Sequence, residues 1–393
     1  MNSGFVAVAL SAVQSTAQVL FICSVGYLLA QRFEVFRYGA ARKGLQVLLI
    51  NCLIPCLLFS KVGKAVDLQK LLEWWPLPVF FFIYFVLSAL LGWIGSWLFG
   101  WKGSLRKFVC ASIIFQNTTS LPLALVQSLG DTPAIRYLMK REDDEPQEAV
   151  SRGIAFILFC TLFAHLTRWS VGTWMLAPPS DDGKLPISVD ASDHHHSQGG
   201  SDEHTPLLPA VNPRSGPCGL IWRIWAGFVN LMNPPLVAAL VAIIVGITPL
   251  RHHFFDPSGV FRHNLVAAIE TCGAASVPLV MITLGIQLYH LPRSENCTKS
   301  ILSWVICSRF LLLPLISTAM VLGLRHWIST DPMMLFVLLL MGSGPTAINM
   351  INMSQLVGAH EGETATMLFY SYLMVVPLTT MFVACILMLF EHL

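Results

Sequence analysis

The sequence predicts an all-α membrane protein: ten transmembrane helices, arranged as two inverted five-helix repeats, with helices 4 and 9 broken where they cross. Three observations carry this. First, 55% of the 393 residues are hydrophobic and 12% are charged, against about 25% charged in an average soluble domain. So few charges cannot cover that much apolar surface in water. Second, the apolar residues fall into ten stretches of about the 20 residues that a spanning helix needs. Third, the fourth and ninth stretches are interrupted by polar residues and proline at corresponding places in the two halves.

The first five stretches lie at 5–30, 45–63, 74–99, 108–129 and 154–176. The first has no basic leader and no clear cleavage site, so it reads as a span rather than a removed signal. The other five lie at 227–250, 265–288, 301–324, 333–357 and 366–390. Between the two sets, 178–217 is rich in Pro, Gly, Ser, His and Asp and includes ASDHHHSQGGSDEH. It cannot bury enough apolar surface to offset its ordering entropy, which predicts a disordered linker. The expected domains are therefore 1–177, a first repeat; 178–217, the linker; and 218–393, a second repeat. A small excess of Lys and Arg in the loops after odd-numbered spans favours a cytosolic linker, with both termini on the other side. Five is odd, so the second half enters the membrane from the opposite side, as inverted repeats require.

Several classes are excluded. The ten cysteines sit mostly inside apolar runs. Cys52 and Cys56 are four apart without His or carboxylate nearby, so no metal site and no disulfide framework is expected. Net charge is +2, which offers no field for nucleic acid. Ser-His-Asp, HExxH and P-loop arrangements are absent, so neither an enzyme nor a cofactor is expected.

Span 4 carries the sharpest chemical signal. Asn117, Thr118, Thr119 and Ser120 are four consecutive polar residues in an apolar run, and Pro122 follows. Proline lacks an N–H and opposes a regular helix, so the helix should open here. The second half-helix then presents its positive end at mid-membrane, suited to an anionic group. Span 9 repeats the device with Gly342, Gly344 and Pro345, then Thr346 and Asn349. Ordinary kinks with Ser/Thr packing are the competing explanation, but two interruptions at matched places point to an inverted-repeat transporter. Substrate contacts are therefore expected from Asn117, Ser120, Pro122, Pro345, Thr346 and Asn349, with Asn51 of span 2 as an outlying candidate.

Charge inside the spans is sparse. Glu270 in span 7 and Arg309 in span 8 are candidates for coupling, and a structural ion pair is the equal alternative. His165 and Arg168 are expected at the cytosolic interface of span 5. The acidic run EDDE lies in a surface loop after span 4. EHTPLL in the linker has the spacing of an acidic dileucine sorting signal. Sequons at Asn117, Asn296 and Asn352 fall in spans or in a loop assigned to the cytosol, and are discounted.

NCLIPCLLFSKVGKAV, LLEWWPLPVFF, ALLGWIGSWLF and NTTSLPLAL resemble the first half of PIN-LIKES proteins of the auxin efflux carrier family. VFRHNLVAAIETCGAASVPLVMITLGIQL and PTAINMINMSQLVGAHEGETATMLFYSYLM resemble the second half. The resemblance covers nearly all spans and spares the linker and termini. It implies the bile-acid-symporter/NhaA-like transporter fold, and elevator-like transport of small organic anions such as auxin. It also implies an endomembrane location, the endoplasmic reticulum first, with vacuolar or endosomal membrane as the alternative. Pro122 and Pro345 match the family's crossover prolines, and Asn117 and Asn349 match polar positions there. Ser120 stands where plant members often have Asn. The Asp and Lys that plasma-membrane carriers place in span 3 are absent. The linker is short and has a fungal rather than plant composition.

The expected function is thus secondary transport of a small, partly apolar organic anion, with the lipid bilayer as the other partner and a homodimer left open. Two rivals stand beside it. One is a sensor or regulator that keeps the fold and signals through the linker. The other is a cation/proton-coupled antiporter, disfavoured by the lack of buried acids.

Overall fold

The computed structural model describes residues 2–37, 39–66, 68–140, 144–176, 234–290, 298–328 and 331–391. The linker at 178–217, with its histidines and EHTPLL, lies outside the described residues, as do the Asn296 sequon and the start of the sixth apolar stretch. Among the described residues the protein is all-helical, with no strand.

The chain opens with α1 (Asn2–Arg32). A π-helical turn at Leu49–Leu53 joins α2 (Gly39–Leu48) to α3 (Ile54–Ala65). Next come α4 (Leu68–Glu73), α5 (Pro76–Phe99), α6 (Gly103–Ile114) and α7 (Ser120–Leu129). α8 (Pro146–Thr167) runs through a π-helical turn, Arg168–Gly172, into α9 (Thr173–Leu176). The next described elements are α10 (Pro234–Ile247) and α11 (Leu250–Phe254). A π-helical turn at Arg262–Val266 leads into α12 (Ala267–Tyr289). α13 (Lys299–Cys307) reaches α14 (Leu313–Ile328) through a fourth π-helical turn, Ser308–Leu312. α15 (Pro332–Met341), α16 (Met350–Val357) and α17 (Glu361–Glu391) complete the chain.

The element ends follow from local chemistry. Proline occupies the first turn of α5, α8 and α15, where its missing N–H is not needed. Gly100, at φ 71°, ends α5 in the left-handed conformation that favours glycine. Asp331 caps α15 by accepting from the Met333 N–H. Pro377 deprives the Leu373 carbonyl of its donor, and α17 bends there by 45°.

Five helices among the described residues are long and apolar enough to cross a membrane, six if the two arms of bent α17 count as one span. Four more apolar helices are shorter, and α7 and α15 are among them. The shortness is physical: the fourth and ninth apolar stretches are each divided into two half-helices, none long enough to span alone. The half-helix α15 is buried along Met333–Met341, which explains why PMMLFVLLLM is apolar on every face. α5 instead leaves Trp93, Trp97 and Leu98 exposed, as a lipid-facing helix does.

α1 packs on α12, and α3 packs on both α10 and α12. Glycine makes the first crossing possible: a Cβ at Gly26 would run into the Ile282 carbonyl, and one at Gly285 into the Cys23 carbonyl. α8 packs on α5, α7 and α15, and α5 packs on α6. A separate apolar cluster of Phe108, Ile113, Phe115, Met350 and Met353 walls the region where the two broken stretches meet.

The paired helix breaks

Both sequence interruptions are real helix breaks, and they lie against each other. α6 stops at Phe115, whose φ of −87° and ψ of 97° are extended, and α7 resumes at Ser120. α15 stops at Gly342, and α16 resumes at Met350. The two extended segments pair as an antiparallel bridge between Gln116 and Thr346. Asn117 N–H donates to the Pro345 carbonyl at 2.8 Å, and Ala347 N–H donates to the Phe115 carbonyl at 2.8 Å. A buried chain that leaves its helix must find new partners for its peptide groups. Here each break is the partner of the other. Gly344 allows the close approach, since a Cβ there would lie 3.2 Å from the Asn117 carbonyl oxygen.

Asn117 is a structural member of the site. Its Oδ1 accepts from Ser120 N–H at 3.0 Å and Thr119 N–H at 3.3 Å, which caps the start of α7. Its Nδ2 donates to the Tyr372 hydroxyl oxygen at 2.8 Å. The Thr346 hydroxyl donates to the Ser112 carbonyl at 2.9 Å and ties the second break to α6. Pro122 is the third residue of α7, beyond the break rather than in it, and Pro345 lies within the second break and is buried. Ser120 and Asn349 are half-buried, and neither side chain is bonded to another described residue. Asn51 stands apart: it is exposed, in a π-helical turn that packs on α10 and α12.

The two coupling candidates separate. Glu270 pairs with Arg262 at 2.9 Å, within the same helical stretch, and both side chains are partly exposed. Arg309 comes to the breaks. It is 2% exposed, and its Nη2 donates to the Pro345 carbonyl at 3.2 Å. Arg168, expected at the interface, is also at the breaks. It is 3% exposed and donates from Nη2 to the Gln116 carbonyl at 2.9 Å. Each arginine sits in a π-helical turn, and the Nε of each has no hydrogen-bond partner. Among the described residues no carboxylate pairs with either. The Tyr372 phenol lies within electrostatic range of both.

Arg168, Tyr372 and Gln116 also stand at the breaks, beyond the residues the sequence points to there. Arg168 is marked in the sequence by a charge well inside the apolar stretch 154–176. Tyr372 carried no signal beyond its type. Phe81, Tyr84, Phe85, Phe115, Gln116 and Arg168 are among the residues around a cavity of about 20 Å³, room for about one water. Thr118 also lines it, and the Gln116 Oε1 and Thr118 Oγ1 are buried there without partners. A larger cavity of about 200 Å³ lies between α1, α7 and α12, against Val19, Ile22, Ala124, Gln127, Pro278 and Met281. Among the described residues no group of three His, Cys, Asp or Glu side chains is placed to hold a metal.

Residues 11–383 match the membrane transport protein family. An uncharacterized transporter of Schizosaccharomyces pombe is 28% identical over 95% of this chain and 93% of its own length. A second uncharacterized transporter, from Saccharomyces cerevisiae, is 27% identical over 91% of each chain. PIN-LIKES 6 of Arabidopsis thaliana is 26% identical over 92% of this chain and 89% of its own.

Proposed function

The chain belongs to the auxin efflux carrier family of membrane transport proteins, and from that premise we propose that it is a secondary carrier of small organic anions, bound at the paired breaks. The observation that carries this reading is the burial of Arg168 and Arg309 at one locus without a carboxylate partner among the described residues. A buried guanidinium is costly unless an anion compensates it. An organic carboxylate supplies that compensation when bound and removes it on release, which is what a carrier requires.

The other groups divide the work. The Asn349 carboxamide and the Ser120 hydroxyl are further side chains at the breaks that can bond the cargo. Asn117, Thr346 and Pro345 hold the backbone that presents them, and Pro122 stands in the first turn of α7 just beyond. The positive end of α7 adds to the attraction for an anion. The larger cavity borders α7 one turn past Ser120, at Ala124, and offers an apolar wall to an aromatic or aliphatic body such as that of an indole carboxylate.

Ten spans in two inverted five-helix repeats, with the described half-helices as parts of spans 4 and 9, complete the proposal. Spans 1, 2, 6 and 7 form the fixed part, in keeping with the packing of α1 and α3 on α12 and of α3 on α10. Spans 3–5 and 8–10 carry the site across in an elevator movement. The endoplasmic reticulum is the proposed membrane, on the short linker and the resemblance to PIN-LIKES proteins. Uptake of labelled indole-acetate and of a panel of organic anions into proteoliposomes is the test. Saturable flux is expected. A panel that shows none above empty liposomes sinks the proposal.

A further inference from the structure

The charge balance at the breaks leads beyond a carrier of unspecified anions, and this inference rests on that carrier reading. Two guanidinium groups, from different halves of the chain, reach one backbone pair. Arg168 bonds the Gln116 carbonyl and Arg309 bonds the Pro345 carbonyl. Gln116 is bridged to Thr346, the neighbour of Pro345, and bridged residues lie roughly 5 Å apart. Both side chains are nine-tenths buried or more, and each keeps an Nε–H without a partner. Tyr372 accepts from Asn117 through its oxygen, so its own O–H remains a donor within electrostatic range of both arginines. Thr118 adds a buried hydroxyl without a partner on the Arg168 side.

A single monocarboxylate neutralises one of these fixed charges. The other would stay desolvated and uncompensated, the costly arrangement for a buried ion. Each guanidinium is a planar fork that matches one carboxylate. We infer that the paired breaks form a two-carboxylate site: the cargo is a dianion whose two charged groups are taken one by Arg168 and one by Arg309. The two arginines thereby set the preference for a dianion over a monoanion of the same skeleton. Tyr372 and Thr118 are donors to the same two groups.

The test uses the full-length chain in detergent at pH 7.5, with benzoate and the ortho, meta and para benzenedicarboxylates as probes. The three isomers place two carboxylates at different separations on one ring. Titration calorimetry should show at least one dicarboxylate binding about tenfold or more tightly than benzoate, the worth of one added hydrogen-bonded charge pair. Arg168→Gln and Arg309→Gln should each weaken dicarboxylate binding more than benzoate binding, so that the ratio of the two affinities falls from about tenfold or more to within about threefold, well under one such pair. Thermal unfolding and size-exclusion profiles check that the variants fold. Should they not fold, the comparison in the unaltered chain decides alone. Benzoate equal to or tighter than all three dicarboxylates overturns the inference, and so does steep, cooperative binding of two benzoates in place of one dicarboxylate. Saturable benzoate flux in proteoliposomes with the dicarboxylates excluded would defeat the two-carboxylate site and leave the carrier reading standing. Absence of flux for every anion would remove the carrier reading itself.

Discussion

The backbone N–H of Asn117 lies 2.8 Å from the carbonyl oxygen of Pro345 and donates to it. The same oxygen accepts from Arg309. A carbonyl orphaned by the end of one helix is thus satisfied by the other half of the chain, and the reverse holds where Ala347 donates to Phe115. Each such group left unpaired in a buried site costs about 1–3 kcal/mol. Neither break is therefore stable without the other, and the breaks should form together as the halves dock.

Asn117 allows a substitution pair with opposite expectations. Asn117→Ala removes the cap of α7 and the bond to Tyr372, at a cost of about 1–2 kcal/mol. Asn117→Asp keeps the capping acceptor and sets a fixed negative charge near Arg168 and Arg309. Its thermal midpoint should exceed that of Asn117→Ala by several degrees, and added organic anion should no longer raise it. An Asn117→Asp protein stabilised by anions as fully as the unaltered one would refute the placement of the anion at the breaks.

Pro122→Ala should be mild. The sequence suggests that this proline opens the helix, but in the structure it sits in the first turn of α7, where an N–H has no intrahelical partner to find. Closing the break would require Gln116 and Asn117 to give up their pairing with Thr346 and Pro345. Flux is expected within about threefold of the unaltered chain, the scale of a fraction of one hydrogen bond. Abolished flux with an unchanged thermal midpoint would show that Pro122 itself maintains the break.

Gly26 and Gly285 set the approach of α1 to α12. Valine at either position drives a side chain into the facing helix backbone and should cost about 1–3 kcal/mol or more. Gly323→Ala, in a helix position with nothing within 4 Å, should instead stabilise by up to about 1 kcal/mol. Thermal unfolding of the three variants in one detergent checks the contrast, and equal midpoints would place the crossing elsewhere.

Arg152 stands between two acids. Its guanidinium meets Asp144 through a two-bond fork at 2.8 and 2.6 Å, and its Nε bonds Asp331 at 3.2 Å. The hydrogen bonds from Arg152 hold the Asp144 carboxyl below its ordinary range, while burial pushes that of Asp331 up. Asp144 then contributes stability above its unfolded pKa of about 3.9, and loses it as pH falls through its lower folded value. Asp331 has the opposite sign, since acidification through its raised value relieves a strain. Stability should hold or rise slightly from pH 7 towards 4 and fall only below. Asp331→Asn keeps an acceptor for the Met333 N–H and should be milder than Asp144→Asn. Midpoints measured from about pH 3, below the ordinary Asp pKa, up to neutrality decide it, and a more damaging Asp331→Asn would reverse the assignment.

By itself the sequence determined the class of the molecule and the location of its two interruptions. Apolar runs of spanning length and sparse charge admit few alternatives to membrane helices. Four polar residues in a row at Asn117–Ser120, and Gly-Ser-Gly-Pro ahead of Thr346, cannot continue a buried helix without loss. Those are local properties, written in neighbouring residues. What only the tertiary structure decided is which groups the breaks use. Asn117, expected from the sequence as a cargo contact, also caps α7 because Ser120 N–H and Tyr372 are within reach. Asn51 stays outside because its turn faces α10 and α12. Arg168 and Arg309 meet because two π-helical turns in different halves aim them at one antiparallel pair. No local pattern encodes that encounter. It follows from peptide groups that, once buried, must be satisfied by whatever the rest of the chain brings to them.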